Sequence, residues 1–547
     1  MRNSGPICYK CSGVSSMTVC KTITTCPLNE LCIIESNDRN GEIYFNSGCQ
    51  TKYACDMLAG TGNILGKREI NGPRPGYCKR CCAGDLCNTE CSIDLKTTSS
   101  VTTTKTIASI TPPRTTTVVT TPMTTGIMFI GVGNIMIHWE RNFNLAFLAS
   151  FGTPPAYAQL YIISDHNGTC MIRIPYLHIN TSMPVIFNDV SQYRINSSIL
   201  MTTLGIQHKA IIVSCDVPVS IYGMNYRNVV TEGYLGIPQN GLRSKYIVSS
   251  FSQDKSEFGI IAPSNDTFIS INLRLESGDL KYNGNTYRPG DLLNITMFKD
   301  ETFYLSSDND LSGTIISSTK PVAVVSGVKL SFMNDEYSNH MTEMILPHKH
   351  LGRNFIVPVL YNSQCRYRIF ADSPSSLTIQ QGNYTISGFK KNITAGQYLE
   401  VNSDKPTTLR SSSGILVQLY CDSHGLSYDS VMVTLPAISH FKAGYQFVAV
   451  SDFPPGYQPN NYYMTVIIPT NAVDGLKYDG YLWVSFIQKF SIVVSGHSYS
   501  ILIKEISSGL HTLTQVNNVT FGLIVNGKTT HQGYAYPAGF HFNNGAQ

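Results

Sequence analysis

Cysteine placement constrains this chain more than any other feature. Of its 16 cysteines, twelve fall between Cys8 and Cys91, and only Cys170, Cys215, Cys365 and Cys421 lie beyond. The dense segment opens on CYKCSGVSSMTVC and ends on CKRCCAGDLCN. Two Cys-x-x-Cys pairs admit three chemistries: a zinc knuckle, a thiol redox motif, or a disulfide scaffold. A zinc ribbon holds one tetrahedral ion on four thiolates and leaves the remaining cysteines without a role. A redox pair sits at a helix start after a strand, whereas CYKC runs into a Ser/Gly/Thr stretch with no helical period. An even count at this density, in a segment too small for a large core, selects the disulfide scaffold. Each bridge then contributes roughly 2–4 kcal/mol by restricting the unfolded chain.

The rest of the sequence divides around a second feature. Lys96–Gly126 reads KTTSSVTTTKTIASITPPRTTTVVTTPMTTG, which offers almost nothing to bury and cannot offset the entropy of ordering it. The expected organisation is a disulfide domain over 1–95, a mucin-like O-glycosylated linker over 96–126 and a large domain over 127–547. Only 14% of residues are charged and the formal net charge is +4, so no basic stripe recommends nucleic acid or an anionic membrane. No apolar run of about 18 residues forms a membrane span. Met1 is followed by RNSGPICYK, without the apolar core of a secretory leader, so an extracellular chain would have lost its leader.

The cysteine spacing resembles the three-finger domain of the lymphocyte-antigen and urokinase-receptor family over Cys8–Asn88. The diagnostic residues are Cys8-x-x-Cys11, Cys20, Cys26, Cys32, Cys49, Cys55, the adjacent Cys81 and Cys82, and Cys87 followed by Asn88. The resemblance implies bridges Cys8–Cys32, Cys11–Cys20, Cys26–Cys49, Cys55–Cys81 and Cys82–Cys87. It also implies partner-facing finger tips near Val14–Thr18, Glu35–Glu42 and Leu58–Asn71. Cys78 and Cys91 depart from the family pattern; they are expected to pair with each other, with Cys78 an alternative to Cys81 as the partner of Cys55. GTGNILG imitates a phosphate loop but lacks the strand-to-helix setting.

The large domain reads as β throughout. In Thr267–Leu275 the residues Ile269, Ile271, Leu273 and Leu275 alternate with Phe268, Ser270, Asn272 and Arg274, the period of a half-buried strand. Four phrases recur, RNFNLAFLASF, SKYIVSSFS, RNFIVPVLY and GYQFVAVSD, with aromatics at Phe143, Tyr246, Phe355 and Phe447, about 100 residues apart. The ends recur too, as SCDVPVSIYG, SSTKPVAVVSG, SSSGILVQLYC and, more loosely, VTFGLIVNG. The expected fold class is therefore all-β: a small disulfide-rich three-finger domain plus a four-repeat β domain. Propeller-like closure is favoured over tandem β-sandwiches, because a ring exposes fewer strand edges.

These repeats, with MTEMILPHKHLGRNFIVPVLYNSQCRYRIFADS and TFGLIVNGKTTHQGYAYPAG, resemble the N-terminal domain of the IgGFc-binding protein family from about Ile127 onward. The resemblance implies a secreted, mucus-associated or adhesive protein. Secretion is also the reading of eight Asn-x-Ser/Thr acceptors, Asn167, Asn180, Asn196, Asn265, Asn294, Asn383, Asn392 and Asn518. In an oxidising compartment the late cysteines pair as Cys170–Cys215 and Cys365–Cys421, each pair within one repeat.

Groups with catalytic or metal-binding appearance are few. His348 and His350 stand two apart with His340 and Glu343 upstream, Ser306–Gly313 is acidic without the glycine and glutamate of an EF-hand, and Asp165 abuts His166 without a nucleophile. The expectation is a secreted, non-enzymatic recognition or adhesion protein without cofactor or metal. Its ligands would be extracellular proteins or glycans, in a mucus or innate-defence setting. The competing readings are a β-propeller-type extracellular hydrolase and a structural mucus or matrix component.

Overall fold

The computed structural model describes residues 7–14, 23–26, 30–39, 42–51, 79–82 and 140–542, apart from short stretches at 153–155, 228–229, 252–253, 276–277, 335–336, 383–389, 424–429, 452–460, 484 and 529–531. Two compact units are present, Met1–Gly126 and Ile127–Gln547.

In the first unit Glu30–Arg39 and Glu42–Thr51 form a long antiparallel ladder with Cys32 opposite Cys49. Cys11–Val14 and Lys79–Cys82 extend this sheet on its two sides, and Ile7–Tyr9 pairs separately with Ile23–Thr25. Disulfides join Cys8 to Cys32 and Cys26 to Cys49. The Sγ atoms of Cys8, Cys26 and Cys49 lie within 4.8 Å of one another, yet all three are bridged and offer no thiolate to a metal. The expected bridges Cys11–Cys20, Cys55–Cys81, Cys82–Cys87 and Cys78–Cys91, most of the finger tips and the linker 96–126 fall outside the described residues.

The second unit repeats one topology four times. In repeat one the strand Ile211–Arg227 runs through two layers. Its first half pairs with Glu140–Leu145 and Gly168–Ile174, and its second half with Tyr157–Ile163 and the closing strand Val230–Leu235. Ile315–Asn334 in repeat two and Thr407–Ser423 in repeat three are built the same way, with closing strands Tyr337–Met344 and Val431–Thr434. In repeat four the long strand is broken into Gly509–Gln515 and Gly522–Lys528, followed by the closing strand Gly533–Pro537. Gln515 organises the break: its Oε1 accepts from the N–H groups of Asn517 and Val519, and Asn518 turns at φ 56°. The long strands are the recurring unit ends of the sequence, and the loosest of them, VTFGLIVNG, spans this break.

Both halves of each long strand contribute to one core. In repeat three Phe355, Ile379 and Leu409 from one layer pack in the same cluster as Tyr367, Val417 and Val433 from the other. The alternation in Thr267–Leu275 is realised, with Ile269, Ile271 and Leu273 buried and Phe268 exposed. Tyrosine fills the core because its ring adds apolar volume while its hydroxyl can satisfy a carbonyl. Tyr234 donates to Ala146 O (2.8 Å), Tyr420 to Ser250 O (2.8 Å) and Tyr445 to Phe521 O (2.6 Å). Tyr246 accepts from Arg243 N and donates to Val322 O; Tyr445 accepts from Lys442 N and donates to Phe521 O. This shared geometry makes Tyr445, rather than Phe447, the repeat-four counterpart of Tyr246.

Disulfides join Cys170 to Cys215 and Cys365 to Cys421, in both cases directly opposed ladder partners. They are not equivalent. Cys170 lies on the third strand of its repeat and Cys365 on the second, so the two bridges staple opposite halves of the long strand.

The four repeats are sandwich-like units closed into a ring. The closing strand of repeat one lies beside those of repeats two and four, and that of repeat three completes the circuit. Asn339 joins all four. Its Oδ1 accepts from Thr231 N (3.0 Å), and its Nδ2 contacts Thr231 O (2.9 Å), Ser430 O (2.8 Å) and Gly533 O (2.9 Å). Between repeats two and three, buried Arg368 donates to Asp310 and Ser250 O and to Glu400, with Phe251 and Tyr398 against its guanidinium. Asn339→Ala, which leaves these central groups without partners, is expected to lower unfolding stability by about 3 kcal/mol. Urea denaturation checks this, and an unchanged midpoint would remove Asn339 from the closure.

Candidate binding site

Besides a small cluster in repeat four, where His511 Nδ1 lies 2.8 Å from both Asp479 Oδ2 and Tyr478 Oη and its Nε2 lies 2.9 Å from Ser507 O and 3.4 Å from Ser507 Oγ, two regions bring titratable side chains together. The first is the ring centre. Glu232 Oε1 accepts from Gly233 N and Ala535 N, and its Oε2 from Met432 N, so one carboxyl from repeat one serves backbone donors of repeats three and four. Glu343 accepts from Thr434 N (2.9 Å). Burial raises both carboxyls well above their ordinary value, against the pull of the N–H donors. In repeat two Glu257 accepts from Tyr304 (2.5 Å), and His340 Nδ1 meets Val328 O (2.9 Å) and lies 3.8 Å from Glu257 Oε1. Burial raises Glu257 and lowers His340 to about 4. These groups face backbone and one another inside a closed core, which fits a structural plug.

The second region is a pocket at the seam between repeats one and four. The repeats are connected by short turns, Gln239–Gly241, His348–His350 and Ile438–His440, each followed by the first strand of the next repeat. Their last positions are Gly241, His350 and His440. The chain end returns over these turns: His350 lies tilted against Phe542 (centroids 4.5 Å), His440 meets Phe540 edge-on (5.8 Å), and His541 N donates to His440 O (2.9 Å). Gly241 carries no side chain where a Cβ would stand 3.3 Å from Phe542, so glycine admits the ring there. The pocket is lined by Phe143, Ile237 and Pro238 from repeat one and by Lys442, Phe540 and Phe542 from repeat four, with Glu140 also present.

Lys442 is held by its backbone, which exchanges N–H and C=O bonds with Phe521. Its side chain is buried, burial alone lowers its ammonium to about 8, and Nζ lies 5.3 Å from the Tyr445 ring centroid. A wider polar pocket lies elsewhere, beside the Cys365–Cys421 bridge, lined by Gln364, Arg366, Asn402, Asp404 and Asp422.

The residues singled out for chemistry do not converge. His348 pairs with Asp372, His350 packs on Phe542, His340 faces Val328 O, and Glu343 belongs to the ring centre. Asp308 meets Lys255 and Asp310 meets Arg368, so the acidic turn is used in ion pairs. Asp165 and His166 form an exposed contact on a turn. Of the glycan acceptors, Asn167, Asn180, Asn196, Asn265, Asn294, Asn392 and Asn518 are exposed, and Asn383 lies outside the described residues. Lys442 and Arg368 were not singled out. Superposing the turn phrases HFKAGY and GLRSKY would have set Lys442 against Arg243.

Fold and site together define a disulfide-stapled all-β ring of four repeats. The chain belongs to the IgGFc-binding protein family: the family model described as IgGFc binding protein matches residues 232–527. It is 27% identical over 416 residues to the human IgGFc-binding protein, a match covering 73% of this chain and 7% of that protein. The chain thus corresponds to a small part of the length of that relative.

Because Glu343 is protonated in the fold at a pH where the unfolded chain has ionised it, its contribution is lost as pH rises above the ordinary value of 4.5. Relative to the wild type, Glu343→Gln is therefore expected to gain stability by up to about 1.4 kcal/mol per pH unit above that value, until the folded carboxyl ionises. The contribution of His340, present above 6.5 and lost on acidification, is common to both proteins and cancels. Parallel urea midpoints for the two proteins between pH 5 and 8 would contradict the assignment.

Proposed function

We propose that this chain is a secreted, non-catalytic recognition or adhesion glycoprotein whose ligands are extracellular proteins or glycoconjugates. The observation that carries the reading is the family match over residues 232–527, together with a human relative whose name is that of a binding protein. Four bridges and seven exposed glycan acceptors are the chemistry of an oxidising, glycosylating compartment. In this reading residues 1–95 form a three-finger module. Its cysteine spacing and the Cys8–Cys32 and Cys26–Cys49 bridges support that assignment, and the Thr-rich segment 96–126 serves as its tether. Two modules on one tether raise effective concentration when both engage the same target. Immunoglobulin Fc is the first protein ligand to try, and the polar pocket beside Cys365–Cys421 has the side-chain types that pair with sugar hydroxyls.

The secreted full chain, immobilised, is expected to retain Fc fragment or mucin glycoprotein saturably, and to lose this after reduction and alkylation. Retention of both no better than albumin would overturn the recognition role. Peptide N-glycosidase F is expected to lower the mass of the secreted chain, and Asn167→Gln to remove one glycan from it. An unchanged mass would refute the glycoprotein assignment.

A further inference from the structure

We infer that the pocket at the seam of repeats one and four is a binding site for a ligand presenting a single carboxylate on an apolar body, with Lys442 Nζ as its anchor. A buried ammonium is costly unless it is paired, and methionine or leucine would fill the same space more favourably. Among the described residues Lys442 Nζ has no hydrogen bond or ion pair; the Tyr445 ring centroid lies 5.3 Å away, and Gly539 stands so close that a Cβ there would be 3.2 Å from Nζ. The repeat itself supplies the contrast. Arg243, the counterpart in repeat two, is half-buried, and its Nη1 donates to Asn240 O (2.7 Å) and Leu242 O (2.6 Å). Repeat three has Gly352 in this position, so the scaffold does not require a cation there. The charge at position 442 is thus neither satisfied by the fold nor imposed by the repeat, and it opens on a pocket.

The pocket determines what can enter. Phe143, Ile237, Pro238, Phe540 and Phe542 make its walls apolar and partly aromatic. Its cavity volume is about 40 Å³, room for a head group and not for a bulky ligand. Glu140, whose side chain accepts from Asn240, is the one carboxylate in the lining; it adds repulsion against a second negative charge and so favours a monoanion. A carboxylate would reach Lys442, while the attached apolar group lies against Phe540 and Phe542 at the mouth.

The inference rests on the pocket and not on the recognition role, so either stands if the other fails. Phenylacetate and its neutral isostere phenylacetamide are the probes, titrated by saturation-transfer NMR against the full chain. Phenylacetate is expected to bind about 10-fold more tightly than the amide. In Lys442→Met that preference is expected to vanish, with amide binding retained and thermal stability equal to or above the wild type. Lys442→Gln, which keeps length and polarity, provides the same test should the methionine variant fold poorly. Equal binding of acid and amide by the wild type, no binding of the acid at about 10 mM, or a surviving preference in both variants would each overturn the site.

Discussion

A primary amide carries two donors and one acceptor on a rigid plane, and Asn339 uses that geometry where four strand edges meet. The apolar cores of the sandwich-like repeats run into one another, and the closing strands leave backbone groups at the ring centre, where water is excluded. Such groups must find partners, since an unpaired buried donor or acceptor costs roughly 1–3 kcal/mol. The side chains of Asn339, Glu232 and Glu343 supply those partners across repeat boundaries, so closure of the ring and satisfaction of its central backbone are one event. Burial in this arrangement pushes both glutamates toward their uncharged form.

The peripheral joints follow other chemistry. Arg368, wedged between aromatic rings and paired with Asp310 and Glu400, fixes repeat three against repeat two through directed, charge-assisted bonds. At the seam of repeats four and one the two repeats share one apolar cluster instead, in which Tyr222 lies against Tyr536 (centroids 4.7 Å) and donates to Ala538 O (3.2 Å). That seam is where the first and last repeats must meet although no peptide connects them. It is also where the polypeptide leaves a pocket.

How far the sequence reveals this differs from residue to residue for physical reasons. The strand Thr267–Asn272 is legible because its period is local and one face is buried. The four repeats are legible through their long strands, which carry the densest apolar text. Phe447 was mistaken for the recurring aromatic because an aromatic two positions from the true one has the same parity on a strand. The hydroxyl bonds of Tyr445 to Lys442 N and Phe521 O, and its place at the end of HFKAGY as Tyr246 ends GLRSKY, separate them. Cys170–Cys215 and Cys365–Cys421 were inferred from a symmetry that the strands do not have, since one bridge staples the third strand and the other the second. The pairing nonetheless holds, because in each repeat the two cysteines are directly opposed on the ladder. Arg368 and Asp310 were illegible together: they are 58 residues apart and meet only when repeats two and three dock. Asp310 by itself read as an acidic turn.

Lys442 shows how a repeat architecture separates what the scaffold needs from what a site needs. In four copies of one unit, a position that the fold requires carries a consistent side chain or a consistent partner. The Tyr246 and Tyr445 hydroxyl corners are of that kind, with the same donor and the same acceptor in two repeats. Position 442 is of the other kind: arginine, glycine and lysine occupy it in repeats two, three and four, and the lysine is the most buried of the charged pair. A repeat that buries this charge without a hydrogen bond, where repeat two satisfies its arginine and repeat three has glycine, at the joint closed without a covalent connection, has a property that packing alone does not account for. The chemistry able to account for it is an anion held in the seam.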